Sequence, residues 1–184
     1  TSRDLKKSPL DGMWEKEKPH FGQFGSCERP LYFGKIKNPE LTFCRPSWYD
    51  NISREVQAAH EEAAIFDQSA YGKIDVIGTN ASSFLNRLCA NQMNRPIGKA
   101  IYTALLNERA GFESDLTAIR ISDNCYRLYT GTTAIKRDLA WLARHIKIGH
   151  YIRLEDVTDT YAGIGLFGPQ AEAVALSIGS RALT

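Results

Sequence analysis

Residues 100–121, AIYTALLNERAGFESDLTAIRI, hold two apolar-rich runs separated by a five-residue polar break. NERAG (107–111) ends in glycine, so the segment predicts two strands joined by a tight turn. Strands joined by so short a link are antiparallel, because a parallel pair needs a crossover of about a dozen residues or more. NCYRLYTG (124–131) predicts a third strand after a turn at Ser122–Asn124. Side chains alternate along a strand, so Glu113, Asp115, Thr117, Ile119 and Ile121 share one face of the return strand.

Outward from this hairpin, helices and strands mix. Asp50 is positioned as an N-cap, and Ile52, Val56, Ala59 and Ala63 recur at helical spacing, predicting a helix over 51–64. YGKIDVIG (71–78) predicts a strand, with Ile74 and Val76 alternating against Lys73 and Asp75. Thr79 or Asn80 caps a helix whose apolar face is Ala81, Phe84, Leu85 and Leu88. Thr132 caps another, running to about 147 with Ile135, Leu139, Leu142 and Ile146 in one stripe and Gly149 at its C-terminus. YIRLEDV (151–157) and YAGIGLF (161–167) are two further strands, and Pro169 opens a last helix. Hairpins and short links of this kind define an α+β class, an antiparallel sheet with helices packed on one side.

Residues 1–46 differ. Five of the seven prolines lie there (Pro9, Pro19, Pro30, Pro39, Pro46) and hydrophobic periodicity is poor, which predicts an extended arm. Trp14, Phe21, Phe24, Tyr32, Phe33, Phe43, Trp48 and Tyr49 are anchors in or beside it that need a surface. The expected organisation is therefore an arm over 1–46 and a domain over 47–184.

Composition narrows the function. With 23 basic and 21 acidic residues the net charge is +2, and no Lys/Arg stripe marks a nucleic-acid partner. No apolar run approaches the ~18 residues of a membrane span, and TSRDLKKSPL lacks the apolar region of a signal peptide. Cys27, Cys44, Cys89 and Cys125 form no CxxC pair and no Cys–His set with metal-ligand spacing, so no metal site is expected; free thiols fit a reducing compartment. A start without Met and an abrupt end predict a piece of a longer polypeptide.

GIGLFG (163–168) matches GxGxxG, but its first two glycines fall within the predicted strand, where close backbone packing explains them better than a dinucleotide. His60 and His145 sit as polar-face residues do, and no serine occupies a Gly-x-Ser-x-Gly elbow. Asp115 is the carboxylate of interest. It shares a face with Ile119 and Ile121, and poor solvation near an apolar wall raises a carboxyl's pKa and suits it to proton work. A turn of about five residues would bring Tyr102 close to it, in a register that the sequence leaves open. A strand-end acid near water remains the plain alternative.

Four segments in order, AIFDQSAYGKIDVIG, FLNRLCANQMNRPIGKAIYTALLNERAGFESDLTAIRI, RDLAWLARHI and LEDVTDTYAGIGLFGPQA, resemble the folate-binding aminomethyltransferase family, which includes the glycine-cleavage T-protein and the C-terminal half of dimethylglycine and sarcosine dehydrogenases. SPLDGMWEKEKPHFGQFGSCERPLYF is similar to the connector that joins a FAD domain to the folate domain in the dehydrogenase branch. The resemblance implies the first half of the family's folate-binding fold, tetrahydrofolate as cofactor, FAD only in a missing N-terminal domain, and a small N-methyl amine whose oxidised methyl group is captured as methylenetetrahydrofolate. It also implies a missing C-terminal half carrying the pterin-clamping groups, and a location in the cytoplasm of a bacterium or the mitochondrial matrix of a eukaryote.

Residue by residue, the resemblance makes Asp115 the catalytic carboxylate. The family's Gly-Gly-Ile-x-Asp-Asp-Leu is here Ala110-Gly111-Phe112-Glu113-Ser114-Asp115-Leu116, with its first glycine and first aspartate replaced. Tyr102 matches the folate-facing tyrosine. Tyr129 and Gly131 fall in the folate-lining stretch, which has lost its asparagines. A stand-alone aminomethyltransferase or demethylase, and a non-catalytic regulatory subunit of the same fold, remain as alternatives.

Overall fold

A computed structural model describes residues 6–25, 27–36 and 42–179. Pro39 and the last five residues lie outside them. In chain order the elements are α1 (Asp11–Trp14), a 3-10 turn (Glu15–Glu17), β1 (Pro19–Phe24), β2 (Cys27–Phe33), α2 (Tyr49–Glu61), β3 (Ala64–Asp67), β4 (Gly72–Ile77), α3 (Ala81–Leu88), β5 (Ala100–Leu106), β6 (Phe112–Ser122), β7 (Cys125–Thr130), α4 (Ile135–Arg144), β8 (Arg153–Asp156), β9 (Ile164–Phe167) and α5 (Ala171–Ser177). They fall into two contact units. One comprises the described residues through Ala70 together with those from Ala162; the other is Tyr71–Tyr161.

The second unit is built on a five-stranded sheet ordered β5-β6-β7-β4-β8, with every neighbouring pair antiparallel. Its core side carries Ile74, Val76, Leu105, Leu116, Ala118, Tyr126 and Leu128, packed with Ala81, Phe84, Leu85 and Leu88 of α3 and Leu142 of α4. Burying each large apolar side chain contributes about 1.5–3 kcal/mol, so this packing holds the sheet. The α+β expectation stands.

Three predicted caps move. Thr132 does not cap α4; Ala134 N–H bonds Gly131 C=O at 2.8 Å and Ala134 is the cap residue, without a side-chain bond. The helix stops at Arg144 and not near 147, so Ile146 packs on the core from beyond its end. Gly149, at φ +84°, serves the following turn, which His150 N–H closes on Lys147 C=O. Asp50 likewise is no cap. Tyr49 N–H bonds Pro46 C=O, the resulting turn starts α2 at Tyr49, and Asp50 sits in its first turn paired with Arg45.

In the first unit, the segment expected as an extended arm is a hairpin of β1 and β2. Pro19 is the first residue of its strand, and Pro30 lies opposite Phe21, beside a register shift, where a missing donor is tolerated. The aromatic anchors find their surface nearby: Trp14 packs on Phe33 at 5.7 Å, and Tyr32 is stacked between His20 at 4.6 Å and Trp48 at 5.6 Å. Phe33 N–H bonds Glu55 Oε1 on α2 at 3.0 Å. Phe43 stays fully exposed.

β3, absent from the sequence expectations, pairs antiparallel with β9. A Cβ on Gly165 would lie 2.9 Å from the Gln68 side chain and 2.5 Å from Phe167, and one on Gly168 (φ +112°) would lie 2.5 Å from Glu62 C=O. Close packing thus accounts for the glycines of GIGLFG. Burial acts to raise the pKa of Asp67, but hydrogen bonds from Ser8, Ser69 and Trp14 outweigh it and hold the carboxyl below its ordinary value. A depressed folded pKa stabilises above the unfolded pKa and loses that contribution as pH falls through the folded one. Acid titration of stability should therefore fall less steeply below about pH 4 in Asp67→Asn than in the parent; equal slopes would refute it.

Candidate functional site

The β5–β6 hairpin builds the site. Asn107 closes its turn four times: its N–H bonds Gly111 C=O at 2.9 Å, its C=O accepts from Ala110 N–H at 2.9 Å, and its Oδ1 accepts from Arg109 N–H at 3.0 Å and Gly111 N–H at 2.8 Å. Its amide also donates to Glu113 Oε1 at 2.8 Å, which makes Glu113 part of the turn. Ala110 sits at φ +58°, a left-handed conformation costing an L-residue roughly 1–2 kcal/mol. Ala110→Gly should raise stability by about 1 kcal/mol, read as a higher denaturation midpoint; a lower midpoint contradicts this strain.

The turn sets a register in which Tyr102 pairs with Thr117 and Ala104 with Asp115. Tyr102 and Asp115 are therefore diagonal neighbours on one face, and Tyr102 Oη donates to Asp115 Oδ2 at 2.8 Å. That bond, helped by the carboxylate's charge, raises the Tyr102 pKa above the ordinary phenol value. Asp115 Oδ1 has no hydrogen-bond partner among the described residues. One expectation is corrected. The apolar wall beside Asp115 does not form: Asp115 and Ile121 are exposed, Thr117 and Ile119 half-buried, because this face points away from α3 and α4.

Tyr129 pairs with Thr117, so it continues the row that Tyr102 begins, and it is half-buried. Gly131 follows Thr130, the residue opposite Leu116, and so adjoins the Asp115 end. A Cβ at Gly131 would meet only Ala134, at 3.9 Å, so packing does not demand glycine there. All four sequence-predicted residues thus gather on one side of the sheet. The row continues to Lys73, which is buried. On the same face Asp75 and Arg127 pair through two hydrogen bonds of 2.7 and 2.9 Å, with Arg127 3.8 Å over the Tyr161 ring. The Asp75 bond drives the guanidinium deeper into its charged range. Sequence reading saw the alternation of Lys73 and Asp75 but not their partners.

The histidines stand elsewhere. His145 Nδ1 bonds Trp141 C=O at 2.8 Å, His20 stacks on Tyr32, His150 lies on Phe84, and His60 is exposed. Burial pushes the Cys89 thiol up to about 12, which makes it unreactive. Shallow clefts of ≈ 220 and ≈ 200 Å³ lie beside α4 and α3, neither lined by Asp115 or Tyr102. Among the described residues no three metal-ligating side chains cluster, and no helix is long and apolar enough to cross a membrane.

The GCVT N-terminal domain matches residues 10–182. The chain belongs to that family. It is similar to the glycine cleavage system aminomethyltransferase T from Bartonella henselae, with a TM-score of 0.78 and 27% identity over 96% of this chain and 44% of that one. It is 29% identical to the mitochondrial pyruvate dehydrogenase phosphatase regulatory subunit of Mus musculus over 93% of this chain and 20% of that protein. A third relative is the 4-methylaminobutanoate oxidase (formaldehyde-forming) of Paenarthrobacter nicotinovorans, 29% identical over 93% of this chain and 21% of its own length. The chain spans about a fifth of these curated relatives and less than half of the T-protein. The fold is accordingly the first half of the aminomethyltransferase fold.

Proposed function

We propose that this chain is the first half of a tetrahydrofolate-binding domain, within a longer flavoenzyme that oxidises an N-methyl amine and hands the one-carbon unit to the folate. The observation that carries the reading is the Tyr102–Asp115 pair, bonded at 2.8 Å and leaving Asp115 Oδ1 free on an aromatic, solvent-accessible face. A free carboxylate oxygen beside flat rings fits a planar heterocycle with an N–H to donate.

Tetrahydrofolate, when bound, supplies the nucleophilic nitrogen. Asp115 accepts the proton of that nitrogen through Oδ1, directly or through one water. Tyr102, donating to Oδ2, would hold the carboxylate's rotation and leave Oδ1 available to a bound folate. Tyr129 and Gly131 line the surface alongside. The flavin domain and the rest of the folate domain belong to other parts of the full-length protein, and the 184-residue chain alone is expected to be inactive. The 4-methylaminobutanoate oxidase relative favours the oxidative branch, and the hairpin before α2 serves as its connector. The free cysteines and the mitochondrial relative favour a reducing compartment, the cytoplasm of a bacterium or the matrix of a eukaryote. The test is turnover of an N-methyl amine by the full-length protein with and without tetrahydrofolate. Less free formaldehyde, with matching methylenetetrahydrofolate, supports the reading; unchanged formaldehyde refutes it.

A second reading is a non-catalytic regulatory subunit. It is favoured by the pyruvate dehydrogenase phosphatase relative and by Ala110 and Ser114, which replace the family's glycine and first aspartate. Absence of amine-dependent turnover, with intact folding, would favour it.

A further inference from the structure

β6 loses a neighbour where the site begins. β7 ends at Thr130, opposite Leu116, so Phe112, Ser114 and Asp115 pair only with β5, and that ladder shifts register between Leu105 and Leu106, passing over Glu113. A side chain closes the unpaired flank. Asp138, in the first turn of α4, is 1% exposed, and its Oδ2 accepts from Ser114 Oγ at 2.9 Å and from Thr130 Oγ1. Arg137 donates from Nε to Asp138 Oδ1 at 3.1 Å and from Nη2 to Ser114 Oγ at 2.9 Å. Ser114 and Thr130 are themselves buried. A buried carboxylate with three donors is satisfied, and it joins three elements at one point.

Ser114 immediately precedes Asp115, and Thr130 lies between Tyr129 and Gly131. Successive side chains on a strand point to opposite faces. Anchoring Ser114 on the helix side therefore fixes the backbone that carries Asp115 on the other side. The Tyr102–Asp115 bond joins diagonal residues, so it depends on the stagger of β6 against β5. We propose that Asp138 is a positioning residue, acting through Ser114 and Thr130 to hold Asp115 at the stagger that meets Tyr102. Its importance for turnover rests on the role given to Asp115 above; its effect on geometry does not.

The test uses the full-length protein carrying 3-fluorotyrosine, with the Tyr102 resonance assigned by Tyr102→Phe. The expected result is that Ser114→Ala and Asp138→Ala bring the Tyr102 phenol transition down in pH, toward its position in Asp115→Asn. Folate-coupled kcat should fall about tenfold or more, as an ångström-scale misplacement does, with KM for the amine little changed. Ser114→Ala removes one hydroxyl only, so it carries the readout even where Asp138→Ala does not fold. A lowered melting temperature with the Tyr102 titration unmoved would make Asp138 a merely stabilising group and overturn the proposal. Full turnover in Asp115→Asn would instead sink the role of Asp115, while the Tyr102 titration still decides the positioning.

Discussion

Asp115→Asn in the full-length protein should lower the rate of methylenetetrahydrofolate formation by about 100-fold or more while amine oxidation continues. General-base groups contribute typically ~10²–10⁴-fold, and the amide has no free carboxylate oxygen with which to take a proton. Asp115 is exposed and its partner is the Tyr102 hydroxyl, to which an amide oxygen still bonds, so the fold should survive. Free formaldehyde should rise as the folate product falls. A rate within threefold of the parent would place the proton transfer elsewhere.

The largest stability effect belongs to the Asp75–Arg127 pair. The two side chains are 10% and 12% exposed, and Arg127 Nε and Nη2 donate to the two Asp75 oxygens across adjacent central strands. Asp75→Ala leaves the guanidinium with the Tyr161 ring but no counter-charge. Removing one partner of a buried pair costs about 3–5 kcal/mol, because the remaining charge stays desolvated. Replacing both by leucine should cost much less than the single change, since the uncompensated charge is gone. Urea midpoints of the two variants measure this. A loss below about 1 kcal/mol in Asp75→Ala would mean that the pair behaves as a surface ion pair.

The sequence made the sheet legible where one strand face is apolar and the links are short. The β5 and β6 boundaries, the β7 strand and the buried face of α3 follow from alternation and helical spacing alone. Helix ends were less legible. Asp50 and Thr132 have the chemistry of caps, yet backbone turns from Pro46 and Gly131 started the helices instead. β3 escaped notice because its partner, β9, lies about a hundred residues away, and Gly165 and Gly168 show their purpose only against Gln68 and Glu62. The hairpin of the first unit was masked by Pro19 and Pro30, which fit because one begins a strand and the other adjoins a register shift.

Of the candidate site, the turn length suggested Tyr102 near Asp115, and the register that joins them is seen only in the fold. The setting was not legible. Two isoleucines on a strand face imply an apolar wall only if that face is covered, and α3 and α4 cover the other one. Ser114 looked like a lost aspartate; its hydroxyl bonds Asp138, 24 residues on, which no local pattern announces.

Calorimetric titration of tetrahydrofolate into the full-length protein, in parallel with Asp115→Ala and Tyr102→Phe, tests the central claim most directly. Saturable binding near one equivalent, weakened in both variants, is the predicted result. No binding to the parent protein, or binding that neither substitution alters, would contradict a folate site built on Tyr102 and Asp115.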